Sequence, residues 1–402
     1  MTYATYLFSD TLALPPLSLI PLPDHLSGVA GTNRSTTGFR QISANTDIDA
    51  IGAWLDSIDT ETTRDSYRRE SERLCLWSII CREKPVSSLT HDDMVSYQSF
   101  LKNPEPTDQW ILKNKRKVAR SHPDWRPFAN PLNDASRRQS AIILNSFFSW
   151  LVNAGYLAGN PLSLSRRKRR KVAPRVSRYL DESIFDAVKL TIERMPKDTD
   201  RERAHYYRTR WLFSILFLTG MRISEVAENE MGGFFLRRGG DGEYRWWLEI
   251  TGKGDKTRLI PASAELMEAL ALYRREKALS PTPVPGDTTP ILMAIGNKQG
   301  QLTRGAIHLV VKKVFKDTAE RLKLCGPDSA ALASQVEQAS AHWLRHTAAS
   351  RMANSGVDLR HIMDTLGHES ISTTSPYLHT EADKRHDDTT DKHKLNWYND
   401  IG

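Results

Sequence analysis

Cysteine is scarce in this chain of 402 residues. Cys75, Cys81 and Cys325 form an odd, scattered set, so neither a disulfide framework nor a paired thiolate metal site can be built from them, and a reducing, cytosolic setting fits. Long apolar runs are also lacking. The opening stretch MTYATYLFSDTLALPPLSLIPLP has no basic start ahead of its apolar positions, and prolines break it early, so neither a signal peptide nor a membrane span is expected. There is no internal repeat and no Walker or dinucleotide glycine pattern, which argues against a solenoid, a P-loop enzyme or a Rossmann enzyme. Acidic excess is absent as well. Fifty-six Lys and Arg face 48 Asp and Glu, a net charge of +8. A basic balance speaks of partners rather than fold; nucleic acid is the commonest such partner, and a merely solvated basic surface is the alternative.

The length suggests two domains with extensions. Residues 1–45, rich in Pro, Ser, Thr and Gly, read as an extended or poorly ordered arm. Residues 46–160 read as a small helical domain. Its first helix starts near TDIDAIGAWLDSI with Asp47 or Asp49 as cap, and its second places Tyr67, Leu74, Trp77 and Ile80 roughly on one face. Thr90 caps a third helix with Asp93 in its first turn, and a fourth, SRRQSAIILNSFFSWLVNAG, stops at Gly155. The long connection between the third and fourth helices gathers Lys113, Lys115, Arg116, Lys117 and Arg120 near Trp110 and Trp125. These rings would either stack against nucleic acid or pack in the core. Residues 161–179 form a basic linker: Arg166, Arg167, Lys168, Arg169, Arg170, Lys171, Arg175 and Arg178 occur without an acidic neighbour, as a solvated tether or a strap along a phosphate backbone. Residues 180–380 mix helices with the short strands YRWWLEI and TRLIPA, joined by the turn TGKGDK.

The chemistry-bearing residues concentrate in HWLRHTAASRMANSGVDLRHIMDTLGHESISTTSPYLH, residues 342–379. His342 and Arg345, at i and i+3, share a helix face. Small residues Thr347, Ala348, Ala349 and Ser350 permit close packing, and this helix ends near Gly356. Asp358 is the expected cap of the next helix, which buries Leu359, Ile362, Met363 and Leu366 and stops at Gly367. His368 follows at once, where a side chain can turn into a cleft, and Tyr377 comes nine positions later. Far upstream, the nearly all-apolar helix RTRWLFSILFLTG delivers Arg222 just past a Thr-Gly break. An arginine at the end of a buried helix needs a partner. Glu225 is either that structural counter-ion or the group that aims Arg222 at an anion. Lys253 lies between Gly252 and Gly254, where the backbone can approach a ligand closely, and Lys256 is an alternative lysine in the same turn. A metal site made from His342, His346, His361, His368 and His379 has little support, because HWLRH lacks the glutamate of a zinc-protease helix and no Cys or Asp cluster completes a shell.

Taken in order, LTGMRISEVAE, TGKGDKTRLIP, HWLRHTAAS and LGHESISTTSPYLH resemble the motif boxes of the tyrosine recombinase (phage integrase) family, over about residues 178–380 and more loosely over 46–160. The resemblance implies a mainly α protein with a small antiparallel β-sheet. It would be a two-domain C-shaped clamp, with a helical core-binding domain and an α+β catalytic domain. It implies a site-specific recombinase that cleaves and rejoins double-stranded DNA through a 3′-phosphotyrosine. Tyr377 would be the nucleophile, Arg222 and Arg345 would grip the phosphate, and His342 would donate or transfer protons there. His368 would be a further phosphate donor, Lys253 would protonate the leaving oxygen, and Glu225 would support the site. The family works without metal or nucleotide cofactor, as a homotetramer exchanging strands through a Holliday junction, with accessory recombination proteins in some systems and no membrane. A cytoplasmic, nucleoid-associated protein follows from this.

Pro376 before Tyr377 departs from a plain helix and suggests that any helix there starts or kinks at that point. Two other readings are a non-catalytic sequence-specific DNA-binding factor and a type IB topoisomerase-like enzyme. The tail, residues 381–402, holds Leu395, Trp397, Tyr398 and Ile401, which need a dock on their own domain or on a neighbouring protomer. Neutralising Arg166 to Lys171 is expected to weaken DNA binding about equally on all sequences and to flatten its salt dependence, measured by fluorescence anisotropy across a salt series. A loss confined to one DNA sequence would count against a backbone strap.

Overall fold

The computed structural model describes residues 22–36, 38–113, 118–165, 179–252, 254–296, 300–326 and 329–367. The chain forms two compact units, Met1–Arg170 and Lys171–Gly402, each with its own hydrophobic core. Among the described residues no helix is long and apolar enough to cross a membrane.

In the first unit, α1 (Asp24–Ser27), α2 (Asp47–Asp56), α3 (Glu61–Arg82), α4 (His91–Lys102), α5 (Thr107–Trp110) and α6 (Asp134–Asn153) surround a core rich in aromatic rings. The cap of α2 is Thr46 rather than Asp47 or Asp49. Its hydroxyl accepts from the Asp49 N–H while the Asp49 carboxylate accepts from the Thr46 N–H, a reciprocal pair that satisfies two orphan donors. Asp47 is instead buried, accepting from the Ser87 N–H and the Tyr156 hydroxyl, and burial raises its pKa despite those bonds. Thr90 and Asp93 form the same kind of box at α4. Gly155 adopts φ 70° just past α6, the left-handed turn that ends the helix.

The structure corrects the expectations for the N-terminal arm and for the end of this unit, and it decides between the two readings of Trp110. The described part of the presumed N-terminal arm, residues 22–36 and 38–45, packs onto the unit. Leu26 is buried, and Asn33 bonds through its backbone to Ser87 and Ala158, while the Arg34 guanidinium lies 3.9 Å over the Tyr156 ring. The long connection before α6 is likewise pinned. Trp110 is fully buried among Phe100 and Phe128, and Arg73 stacks on Phe128 while donating to the Pro127 carbonyl. Trp110 is therefore a core residue and not a ring available to DNA. The first unit also runs past residue 160, since Leu162 is buried in its core and His91 Nδ1 lies 3.1 Å from the Pro161 carbonyl.

The second unit contains α7 (Glu182–Glu193), α8 (Asp200–Thr219), α9 (Ile223–Glu228), a sheet of β1 (Phe234–Arg238), β2 (Tyr244–Thr251) and β3 (Thr257–Pro261), then α10 (Ala264–Glu276), α11 (Arg304–Leu324), α12 (Ala330–Gln338), α13 (Ala341–Asn354) and α14 (Leu359–Leu366). The sheet is antiparallel in the order β1-β2-β3. Its registers pair Phe234 with Leu248 and Leu248 with Ile260, so these apolar side chains line one buried face against the helices. Strand β1 was not anticipated; the turn-rich GGDG between FFLRR and YRWW is the hairpin signal that marks it. The C-terminal half of α8 is apolar nearly all round because it runs through the core, where Trp211, Leu212, Ile215 and Leu216 are buried.

W110A is expected to destabilise the helical unit by roughly 3–5 kcal/mol, measured by chemical denaturation, because a large buried ring leaves a cavity. Unchanged stability would place that ring outside the core.

Candidate active site

Helix α8 ends at Thr219, and Gly220 turns the chain with φ 64°. A Cβ at Gly220 would meet Leu366 Cδ2 at 2.4 Å, so only glycine lets α8 end against α14. Two residues later Arg222 is the N-cap of α9. Its backbone N–H donates to Glu225 Oε2 at 2.8 Å and its Nη1 to Glu225 Oε1 at 2.8 Å. The Arg222 side chain is 43% exposed, whereas that of Glu225 is 2% exposed. The buried carboxylate thus holds a guanidinium whose remaining surface faces a cleft.

A second arginine, which the sequence reading passed over, shares this carboxylate. Arg258 of β3 donates from Nη1 to Glu225 Oε1 at 2.9 Å and from Nη2 to Oε2 at 2.8 Å, while its Nε donates to the Thr365 carbonyl at 2.9 Å. The signal was present: Arg258 alternates with Ile260 on the core face of a short strand, and a charge there demands a buried partner. Burial pushes the Glu225 carboxyl up, but the hydrogen bonds and charge of Arg258, followed by the bonds from Arg222, outweigh it and hold its pKa at about 2.

Arg345, one turn into α13, is 3% exposed and donates from Nη1 to the Gly220 carbonyl at 2.6 Å and from Nη2 to the Leu366 carbonyl. It therefore ties the end of α8 to the end of α14. The small residues of α13 serve that packing, with Ala348 and Ala349 buried, and Thr347 accepts from the Leu180 N–H. His342 is exposed on the first turn of α13, its ring edge-to-face with His346 at a centroid distance of 4.3 Å. Asp358 caps α14, and Gly367 ends it with φ 63°. Ile362 and Leu366 are buried as expected, but Leu359 and Met363 are only half-buried, and Met363 lines the cleft.

Arg222, Glu225, His342 and Arg345 all line one open cleft of about 1940 Å³, together with Gly252, Gly254 and Gly367. Among the described residues, the Lys and Arg side chains lining the cleft are Arg222, Lys256, Arg258, Arg304 and Arg345, against the two carboxylates Glu225 and Asp364. Such a surplus concentrates anions. Lys253, His368 and Tyr377 lie outside the described residues, although Gly252, Gly254 and Gly367, which adjoin Lys253 and His368 in sequence, are at the cleft. Of the residues assigned to DNA contact in the first unit, Lys113 is exposed. Arg120 is engaged inside the unit, paired with Glu72 at 2.5 Å and stacked 3.8 Å over Trp125. Lys115, Arg116, Lys117, the run Arg166 to Lys171 and the tail lie outside the described residues. Among the described residues no group of three or more His, Cys, Asp or Glu side chains could hold a metal ion.

Comparison with known proteins gives the family. The model of the phage integrase family matches residues 189–384. The tyrosine recombinase XerD of Brucella suis biovar 1 is 30% identical over 268 residues, which is 65% of this chain and 76% of that protein. The tyrosine recombinase XerC of Chlorobaculum parvum is 26% identical over 302 residues, 71% of this chain and 82% of that protein. Among solved structures, the XerH site-specific recombinase bound to difH substrate in a pre-cleavage complex superposes with a TM-score of 0.53 at 19% identity, over 82% of this chain and 79% of that one, a likeness of fold. This chain belongs to the phage integrase family, the tyrosine-type site-specific recombinases. The mainly helical architecture with a small antiparallel sheet is that family's fold.

Because the folded Glu225 carboxyl titrates near 2, below its ordinary value of 4.5, its contribution is complete above about pH 4.5 and lost as pH falls towards 2. At neutral pH, E225Q is expected to be less stable than the wild type by roughly 3 kcal/mol. That gap should narrow steadily below pH 4.5 in denaturation series. A gap independent of pH would contradict the shared ion pair.

Proposed function

We propose that this protein cleaves and rejoins double-stranded DNA at specific sites through a 3′-phosphotyrosine formed on Tyr377, so as to integrate, excise or resolve a mobile element or replicon. The observation that supports this reading is the meeting of Arg222, Arg345 and His342 in one cation-rich cleft, with Glu225 holding Arg222 in place.

In the proposed reaction the Tyr377 phenolic oxygen attacks the scissile phosphorus. The new O–P bond forms as the P–O5′ bond breaks, the phenol proton leaves to a base, and the 5′-oxygen takes a proton from Lys253. A free phenol titrates near ~10, so the attack needs help at neutral pH. That help comes chiefly from fixed positive charge. Arg222 and Arg345 oppose the charge that grows on the non-bridging oxygens, and planar guanidiniums suit that geometry. His342 and His368 donate to the same phosphate. The phosphotyrosine keeps the bond energy of the diester, so attack by another strand's 5′-hydroxyl rejoins DNA without nucleotide hydrolysis. In this reading the enzyme works as a homotetramer on two synapsed sites, exchanging strands in pairs through a Holliday junction.

A nicked suicide duplex tests the proposal, because cleavage releases a short fragment bearing the free 5′-hydroxyl, whose loss traps the intermediate. The wild type is expected to give a covalent protein–DNA band on a denaturing gel, and Y377F none. R222Q is expected to slow the band's appearance by about 10²–10³-fold, the scale for losing one stabiliser of transition-state charge. Tight binding without any covalent band in the wild type would favour a non-catalytic DNA-binding factor.

A further inference from the structure

The Arg258–Glu225 pair does more than neutralise a buried charge. Three segments are rooted on it. Arg222 bonds to the same carboxylate through both backbone and side chain. Gly252 lies so close that a Cβ there would sit 3.2 Å from Glu225 Oε1 and 3.5 Å from Arg258 Nη1. Gly367 is closer still, its Cβ position lying 3.0 Å from Arg258 Cδ and 3.1 Å from Nη1. Those two glycines immediately precede Lys253 and His368 in the chain. The pair also links β3 to the last turn of α14, through the Arg258 Nε bond to the Thr365 carbonyl.

A buried ion pair is weak evidence of stability, since apolar residues of similar volume often do as well. Its distinctive property is direction: a guanidinium engaged along three edges fixes the relative position of everything it bonds. We propose that Arg258 is a positioning residue for strand cleavage, one that holds Arg222, the hairpin root at Gly252 and the chain leaving α14 at Gly367 in register for one phosphate. The inference rests on the function proposed above. Lysine at this position keeps the charge but cannot span both carboxylate oxygens and the Thr365 carbonyl.

The test uses the full-length protein. R258K, R258Q, E225Q and the double variant R258K/E225Q are compared with wild type in single-turnover cleavage of the suicide duplex at saturating protein. DNA affinity is measured in parallel across a salt series, and thermal unfolding confirms that each variant is folded at the assay temperature. R258K is expected to slow cleavage by about 10- to 100-fold, the scale for misplacing a catalytic group by about 1 Å. Affinity and salt slope should stay as in the wild type, and the double variant should be little slower than the slower single, as for one coupled unit. Unchanged cleavage in folded R258K overturns the inference. So does a loss of affinity accompanied by a salt slope shallower by about one, which would make Arg258 a direct phosphate contact. So does a rate deficit that vanishes at a temperature where the variant is fully folded, which would make the role structural. A wild type that forms no covalent adduct sinks the cleavage reading itself, whereas an active wild type with an equally active R258K sinks only this one.

Discussion

One buried carboxylate organises the cleft of the second unit. Glu225 accepts from the Arg222 backbone and side chain and from two nitrogens of Arg258, so both of its oxygens are saturated. Removing an ion from water is costly, and that cost is recovered only when every lone pair finds a donor in good geometry. The consequence is asymmetry. Arg258 disappears into the fold, whereas Arg222 keeps nearly half its side chain exposed, so an anion entering the cleft meets a charge that is already oriented. An arginine fixed before the ligand arrives loses little freedom on binding, which is how electrostatic stabilisation becomes effective.

The scaffold behind this pair is built from close approaches. Arg345 joins the Gly220 carbonyl at the end of α8 to the Leu366 carbonyl at the end of α14, and glycine at 220 lets Leu366 pack directly onto that turn. The arginine that bonds two helix ends is thereby buried, satisfying carbonyls that would otherwise lack donors. Apolar packing does the rest: Ile362 and Leu366 seat α14 on Ala349 and Ala353 of α13. The cleft's positive surplus is thus a product of helix termini and a strand edge brought together, not of a basic run in the sequence.

In the first unit the same logic serves a different end. Arg73 pairs with Glu70, stacks on Phe128 and bonds the Pro127 carbonyl, pinning a long connection onto the aromatic core. Arg120 is held by Glu72 and Trp125. Basic residues that look alike in sequence therefore divide into cations that staple the fold and cations that remain exposed, such as Lys113.

Much could be read from the chain alone wherever the cause is local. Thr90 with Asp93, Asp358, Gly155, Gly356 and Gly367 mark helix ends because capping and left-handed turns involve only neighbouring residues. The apolar run of α8 announced its burial, and Arg222 with Glu225 three positions on announced their pairing. Other features arose only from residues distant in sequence meeting in space. Arg258 acquires its partner 33 positions away, Trp110 becomes core because Phe128 closes over it, and residues 33–35 are held by Ser87 and Tyr156. Local pattern can say that a charge or a ring needs a partner. Which partner it finds is settled by long-range packing, because burial cost and hydrogen-bond geometry are properties of the assembled fold.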